Sequence, residues 1–345
     1  MAIVFDAAVP PIELTTFVRE IPTPADFAFS NAFPSQTVAD NTVDFGSEIV
    51  RTNRTARYRS YDGRIHVSER DAGSGKRVRL APLSSSLTQG EYERLQIAFA
   101  QTGGTNTGAL VNAIYNDADI LTREIRARIE QAWGDVLTDG VLSINENGFT
   151  STADFGMPAA HRPTAATLWS AAGAKPLSDL LAWRDVYVQT NGVQPGAIRT
   201  SQRVLSTLST NAEIVAATVG TQAGRTFVTL AEVNALLQTV GLPAFAPAYD
   251  TQVQVDGVNQ RVMPEDRLLF TPASLGDLGY TCFGLTATAL ELVGSSDVDL
   301  SFADAPGIVG VVEKVGPPYR QHTLVDAVGM PLLTNAARLL TAKVL

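Results

Sequence analysis

Cysteine and long apolar runs are the two features that this sequence most clearly lacks. Its one cysteine, Cys282, cannot form an internal disulfide, so stability does not depend on an oxidising compartment and no group of thiols is available for a metal. No run of about 18 apolar residues occurs, and the N-terminal stretch MAIVFDAAVPPIELTTFVRE lacks a basic start followed by an unbroken apolar run. Neither secretion nor a membrane span is therefore expected.

The composition is that of a folded protein with an acidic balance. Of the 345 residues, 45% are apolar and 18% are charged, which lies outside the disordered, collagenous and coiled-coil classes. At roughly 150 residues per domain, the chain is expected to form about two domains. The net charge of −9 argues against a protein whose whole surface binds nucleic acid, so any contact with DNA is expected to be local or weak.

The basic residues are concentrated in one segment, residues 51–79. Nine basic and three acidic residues give this basic segment a net charge of +6, which leaves −15 on the rest of the chain. The nine are Arg51, Arg54, Arg57, Arg59, Arg64, Arg70, Lys76, Arg77 and Arg79. Because complementary charges steer association and fix register, the segment is predicted to dock against a second copy of the chain. A solvated basic hairpin and a nucleic-acid patch are the alternatives.

The N-terminal quarter of the chain is predicted to need a neighbour. Residues 1–50 contain five prolines and little periodicity, which favours an extended arm. Residues 55–82 alternate polar and apolar side chains, with turn signals at Asp62-Gly63 and over 72–75, and are predicted to form a long two-stranded projection. Such a hairpin lacks the apolar content for a core of its own, so it should pack on another subunit.

Two helices are predicted next. Thr88 and Glu91 have the spacing of a capping box for a short helix that carries Tyr92 and stops at Gly103-Gly104. The second helix covers about 110–138 and has apolar residues at helical spacing until Asp139-Gly140 ends it. At 1.5 Å per residue it would span about 43 Å, which makes it a structural beam.

The rest of the chain is predicted to mix strands and helices. A strand pair is expected on either side of Asn147-Gly148, and a hairpin turn at Asp256-Gly257. Helices are predicted after Pro163-Thr164, over 177–188, over 201–218, and from Thr229, where Thr229 and Glu232 form a capping box. Further strands are predicted over 197–200, 251–255, 261–263, 268–270, 281–293 and 308–314. The C-terminal strands should rejoin the lobe built on the long helix.

The order of these parts resembles the Hong Kong 97-type capsid fold, an α+β fold. Three stretches of the sequence are similar to sequences of the lambda-type, or E-family, major capsid proteins of tailed bacteriophages. They are GVLSINENGFTSTADFGMP, MPEDRLLFTPASLGDLGYTCFG and PYRQHTLVDAVGMPLLTNAARLLTAKVL. The resemblance implies an N-terminal arm over 1–50, an E-loop over 51–85, a peripheral domain over 86–164 with a spine helix at about 110–138, an axial domain over 165–275, and a return to the peripheral domain over 276–345.

The resemblance also implies a function and partners. Members assemble as hexamers and pentamers into the icosahedral head of a double-stranded DNA phage, and the head encloses the genome. The implied partners are further copies of the chain, a scaffolding protein, a portal, a decoration protein as a further candidate, and packaged DNA through weak non-specific contacts. The implied location is the virion, with assembly in the host bacterial cytoplasm. The implied interface residues on the E-loop are Arg57, Arg59, Arg64, Lys76, Arg77 and Arg79.

Two departures from some relatives shape these expectations. The chain has no long helical N-terminal extension that could act as a built-in scaffold, so a separate scaffolding protein is expected. Some relatives crosslink through a Lys and an Asn. Here lysine occurs only at positions 76, 175, 314 and 343, and no motif marks a matching site, so crosslinking is not predicted.

No catalytic, cofactor or metal site is predicted. His66, His161 and His322 are isolated from the partners that zinc motifs require, and Gly73-Ser74-Gly75-Lys76 lacks the remaining residues of a phosphate loop. Cys282 is expected to be an inert buried thiol, and the three tryptophans to be core residues. The alternatives to a phage coat subunit are an encapsulin-like compartment shell that encloses enzyme cargo, and a soluble α+β enzyme with an unrecognised site.

Overall fold

The computed structural model describes residues 9–46, 75–90, 92, 107–220, 224–294, 300–317 and 320–345. These residues fall into two compact units. The first unit lies within Met1–Val43, Val78–Trp133 and Tyr280–Leu332, and the second within Asp44–Arg77, Gly134–Gly279 and Leu333–Leu345. Each unit is therefore built from segments that are far apart in the sequence.

The described part of the chain mixes helices and strands, as predicted for an α+β fold. Its helices are α1 (Pro11–Glu20), α2 (Ala28–Ala32), α3 (Thr107–Asp139), α4 (Pro176–Asn191), α5 (Gln202–Thr210), α6 (Ala212–Val219), α7 (Leu230–Thr239) and α8 (Ala287–Val293). Its strands are β1 (Ser35–Thr37), β2 (Thr42–Gly46), β3 (Gly75–Arg79), β4 (Pro82–Gln89), β5 (Val141–Glu146), β6 (Phe149–Asp154), β7 (Ala197–Thr200), β8 (Gln252–Val255), β9 (Val258–Arg261), β10 (Arg267–Thr271), β11 (Gly279–Phe283), β12 (Val309–Val315), β13 (Arg320–Leu333) and β14 (Leu340–Lys343).

The long helix α3 confirms the clearest prediction from the sequence. It has 33 residues and is therefore about 50 Å long. Its buried side chains recur every three or four residues, so they form one stripe along the helix. They include Ile114, Ala118, Leu121, Ile125, Ile129, Trp133 and Val136. The helix ends before Gly140, whose φ of 69° is left-handed, and a Cβ there would lie 2.6 Å from the Cβ of Met157.

A five-stranded sheet forms the centre of the first unit. Its order is β1-β11-β13-β12, and β4 also pairs with β13. The β12–β13 and β13–β4 pairs are antiparallel, with Val312 opposite Thr323 and Val325 opposite Ser85. The apolar face of this sheet packs with α1 and with α3 in one core, which includes Leu14, Leu121 and Val325. Strands β12 and β13 therefore share a core with the long helix.

Helix α1 corrects the prediction of an extended arm over residues 1–50. Residues 1–8 lie outside the described residues, but from Pro11 the chain is helical. Proline is compatible with the first turn, where its missing N–H needs no partner, so Pro11 begins the helix. Leu14 and Val18, one turn apart, are fully buried. The prolines therefore mark helix boundaries in this region, and 9–46 is part of the first unit's core.

Side chains of α1 also cover the outer edge of β12. The hydroxyl of Thr15 donates to the carbonyl of Gly310 at 3.1 Å. The guanidinium of Arg19 donates to the backbone carbonyls of residues 304, 305, 306 and 308, at 2.8 to 3.3 Å. The Thr15 bond therefore satisfies a carbonyl of β12, and the Arg19 bonds satisfy carbonyls of the segment that leads into that strand.

Glu130, a fully buried carboxylate in the middle of α3, holds the N-terminal end of α2. Its two oxygens accept the backbone N–H groups of Phe29, at 3.0 Å, and Ser30, at 2.6 Å. One turn further along α3, the ring of Trp133 stacks on Phe33 with 3.5 Å between centroids. The Trp133 indole N–H donates to the hydroxyl of Thr281 at 2.9 Å. The buried charge is thus fully engaged, as burial of a carboxylate requires.

The second unit is organised around the antiparallel sheet β14-β10-β7. One face of this sheet carries Ile198, Leu268, Phe270, Leu340 and Ala342, which belong to a single core with residues of α4 to α7. Its last strand, β14, pairs with β10, and the hydroxyl of Thr341 in β14 donates to the carbonyl of Leu137 at 2.7 Å, so the final residues of the chain pack with the end of the long helix in the second unit.

Several local predictions for the second unit are confirmed. Asn147 and Gly148 have positive φ angles of 46° and 80° between β5 and β6. Asp256 and Gly257 have φ angles of 50° and 81° between β8 and β9, which is the geometry of tight hairpin turns. Thr229 and Glu232 form the predicted capping box at the start of α7. Backbone and side-chain bonds from Thr229, together with Arg225, lower the pKa of Glu232 to about 2.

One predicted helix start and two predicted elements are wrong. Thr88 lies in β4 opposite His322 and bonds to its ring, so it does not cap a helix. Tyr92, the one residue of the following predicted helix that falls within the described residues, is helical as expected. Residues 165–175 form turns, because the backbone N–H groups of residues 165 and 169 donate to the last residues of the chain. The predicted strand over 281–293 is strand only to Phe283 and is followed by α8, with Thr286 as its N-cap.

Replacing Glu130 with glutamine tests the carboxylate that holds α2. Glutamine has the same shape, but its NH2 group cannot accept a hydrogen bond, so one backbone N–H of Phe29 or Ser30 is left buried without a partner. We expect E130Q to lower the unfolding free energy of unassembled subunits by about 1–3 kcal/mol in urea titrations. The control E124Q changes an exposed carboxylate of the same helix and should cost under about 0.5 kcal/mol. Equal effects from the two variants would contradict this account.

Candidate assembly interface

The two-stranded ribbon β2–β3 carries the described part of the basic segment. Arg57, Arg59 and Arg64 lie outside the described residues, and Lys76 is placed in β3 by its backbone. Arg77 and Arg79 are exposed, whereas Val78 between them is buried with 8% of its surface accessible. This alternation is that of a strand with one face towards solvent, so the two arginines occupy the outward positions of β3.

The two arginines differ in their partners. The Arg77 Nε and Nη2 groups donate to the two carboxylate oxygens of Asp44, at 2.9 and 3.3 Å, and these bonds lower the pKa of Asp44. Both side chains of this pair are largely exposed, so solvent screens the attraction between them. Arg79 forms no hydrogen bond or ion pair with the described residues. Its charge is available to another molecule, whereas that of Arg77 is partly neutralised within the subunit.

A groove beside α1 is a second surface, which the sequence analysis missed. Ile12, Glu13, Thr16, Phe17 and Glu20 of α1 line it together with Tyr115 of α3; it is shallow and open to solvent, with a volume of about 450 Å³. The rings of Phe17 and Tyr115 meet edge to face with 4.7 Å between centroids. We call this surface the α1 groove. One sequence signal could have predicted α1: Leu14 and Val18 are one helical turn apart and follow two prolines, which indicates a helix start.

The titratable side chains that could serve in catalysis are in structural surroundings. His161 is fully buried, and burial lowers its pKa. Burial raises the pKa of the Cys282 thiol to about 11, so the unreactive protonated form prevails at neutral pH. Trp133, Trp169 and Trp183 are core residues, as predicted. His66 is outside the described residues.

The described residues carry neither a metal cluster nor a membrane-spanning helix. No group of three or more His, Cys, Asp or Glu side chains could hold a metal ion there. No helix in the same set combines the length and apolar character that crossing a membrane requires.

The described residues form an α+β subunit that carries exposed arginines on one strand, and no feature among them indicates a catalytic class of protein. The comparison with protein families gives the particular family: residues 12–299 match the model of phage major capsid protein E, so the chain belongs to that family. It is a major capsid protein, which assembles with copies of itself into the icosahedral shell of a phage head. The recognition made from the sequence is therefore confirmed, and the coat-subunit reading is preferred to the compartment-shell alternative.

Solved structures with the same fold extend over nearly the whole chain. A proposed prophage capsid protein from Escherichia coli CFT073 has a TM-score of 0.62 at 12% identity and covers 98% of this chain and 99% of its own. A phage-related protein from Bordetella bronchiseptica RB50 has a TM-score of 0.53 at 15% identity and covers 99% and 98%. No curated protein matches the sequence. The capsid fold is thus retained where little sequence similarity is left.

His161 binds the last of three consecutive carbonyls near the C-terminus. Asn191 donates to Ala337 and Tyr187 to Arg338, while the His161 Nδ1 group donates to Leu339 at 2.9 Å. The Nε2 atom lies 3.0 Å from the hydroxyl of Thr190. Because burial lowers its pKa, the imidazole is neutral in the folded subunit, with its proton on Nδ1.

This arrangement predicts how stability depends on pH. His161 takes up a proton near pH 6.5 in the unfolded chain, but only at lower pH in the folded subunit. The contribution of neutral His161 to the unfolding free energy is therefore complete above about pH 6.5 and is lost as the pH falls below that value. H161Q keeps a donor but does not titrate. We expect the stability difference between wild type and H161Q, measured by urea unfolding of subunits, to shrink from about pH 7.5 to about pH 5. A constant difference would contradict a neutral buried histidine.

Proposed function

We propose that this capsid protein forms the head of a tailed double-stranded DNA phage by assembling as hexamers and pentamers around a separate scaffolding protein, with a portal and, as a further candidate, a decoration protein. Assembly takes place in the host bacterial cytoplasm. Membership of the capsid protein family supports the shell, and a net charge of −9 supports weak contact with the packaged DNA. The protein acts by binding and not by catalysis.

The interface part of the proposal concerns the basic segment. Arg57, Arg59, Arg64, Lys76, Arg77 and Arg79 act as the E-loop contact with a neighbouring subunit. The observation that carries this proposal is the charge distribution, since +6 lies on the basic segment and −15 on the rest of every copy. Arg79, at one end of the segment, is exposed and has no ion-pair partner among the described residues, which supports the proposal. Attraction between unlike charges of two copies would set their register.

Reversing three charges of the basic segment tests this contact. The variant R57E/R59E/R64E changes the charge of the segment from +6 to 0, which removes its attraction to the acidic remainder of a neighbour. We expect no closed shells in negative-stain electron micrographs of the variant, with or without the scaffolding protein. Its circular dichroism spectrum and its urea midpoint should match those of wild-type subunits.

A matched control separates this contact from a general effect of charge. R162E/K175E/R320E makes the same change in net charge at three exposed residues outside the basic segment, and it should assemble normally. Normal shells from R57E/R59E/R64E would refute the E-loop role. A wild-type chain that stays monomeric with and without its scaffolding protein would refute the proposed function itself.

A further inference from the structure

Two Asn-Gly pairs occur in the sequence, Asn147-Gly148 and Asn191-Gly192. In such a pair the backbone nitrogen of the glycine can attack the side-chain amide carbon of the asparagine, because the two groups belong to one chain and close a five-membered ring. Glycine favours this attack, since it has no Cβ to shield its nitrogen. The structure places the two pairs in opposite surroundings, so one motif is restrained to very different degrees.

Asn147-Gly148 forms the tip of the hairpin between β5 and β6. Both residues are exposed, and their φ angles of 46° and 80° define a tight two-residue turn. Strand pairing ends at Glu146 and Phe149, so the tip takes no part in the ladder. Within the described part of the chain, neither the Asn147 side chain nor the Gly148 N–H forms a hydrogen bond. A Cβ on Gly148 would meet no atom within 4 Å, so the tip has room to rotate.

Asn191-Gly192, at the end of α4, is bonded at both of the groups that would react. Asn191 is 2% exposed, and its Nδ2 group donates to the carbonyls of Tyr187 at 3.0 Å and Ala337 at 2.9 Å. The N–H of Gly192 donates to the carbonyl of Val188 at 2.7 Å. The leaving group and the attacking nitrogen are therefore both held, and this pair can react only after the chain opens locally.

We propose that Asn147 is a deamidation site of this protein, whereas Asn191 is protected by the fold. The backbone nitrogen of Gly148 gives up its proton and bonds to Cγ of Asn147, and the side-chain NH2 group takes up a proton and leaves as ammonia. Water then opens the resulting succinimide ring at either carbonyl, which gives aspartate or isoaspartate and restores the backbone N–H. The conversion consumes one water, releases one ammonia and needs no oxidant.

Each conversion changes the subunit in two ways. Either product replaces a neutral amide with a carboxylate, which adds one negative charge to an acidic chain. Isoaspartate also routes the backbone through the side-chain methylene, which lengthens a turn whose strand register depends on a two-residue connection. The converted fraction is expected to increase with the age of the subunit.

Peptide mass spectrometry of full-length subunits stored at mildly alkaline pH tests the site. We expect conversion at Asn147 to be at least about tenfold faster than at Asn191, because the second reaction must wait for local opening. Isoaspartate should form at position 147, since direct hydrolysis of the side chain gives aspartate alone. Storage at mildly acidic pH should slow the conversion, because the attacking nitrogen must be deprotonated. Equal rates at the two asparagines, or aspartate without isoaspartate, would overturn the proposal.

Unfolding provides a matched control for the role of the fold. In urea that unfolds the subunit, the two asparagines should convert at similar rates, because the bonds that protect Asn191 are lost. A rate at Asn191 that stays as low in urea as in the folded subunit would contradict protection by the fold.

The variant G148A tests the attacking nitrogen. It places a Cβ beside that nitrogen in open space, so it should slow conversion at Asn147 by about tenfold while the circular dichroism spectrum is kept. Unchanged conversion in folded G148A would contradict attack by this nitrogen. The proposal is independent of the proposed function, since conversion at Asn147 in a chain that forms no shells would leave it standing.

Discussion

The fold depends on burying one long apolar stripe. Helix α3 exposes far more apolar surface than a single short segment can cover, and each large side chain contributes about 1.5–3 kcal/mol when buried. Residues up to Trp133 belong to the first unit, and those from Gly134 belong to the second. Both units are completed by segments from distant parts of the chain. The helix therefore forces the N-terminal region and the C-terminal strands to return to it, which explains the discontinuous units.

Features set by neighbouring residues could be predicted from the sequence. The stripe of α3, the turns at Asn147-Gly148 and Asp256-Gly257, and the capping box at Thr229 each depend on side chains within a few positions of one another. Thr88 shows where prediction from neighbouring residues fails. Its spacing to Glu91 satisfies the capping pattern, yet pairing of β4 with β13, more than 230 residues away, places it in a strand. Tertiary pairing overrides a local signal there.

The same difference between local signals and tertiary contacts applies to the candidate site. The basic segment is a property of composition and was visible at once, although most of its arginines lie outside the described residues. The α1 groove combines Phe17 with Tyr115, from helices separated by almost 90 residues. No periodicity along the sequence could have joined them, and the prediction of an extended arm excluded the helix that forms one wall. Only the pairing of α1 with β12 and α3 creates that surface.

The charged side chains of this protein have two different roles, one for buried and one for exposed residues. Glu130 is buried, so both of its oxygens must be bonded, and the pair of backbone donors from α2 fixes the internal geometry. Arg79, Glu13 and Glu20 are exposed and have no ion-pair partner within the part of the chain that the structure describes, which costs little in water. Single exposed pairs are weak, but a shell repeats each of them in every subunit. Weak contacts of this kind therefore add up to a stable shell only when many copies associate.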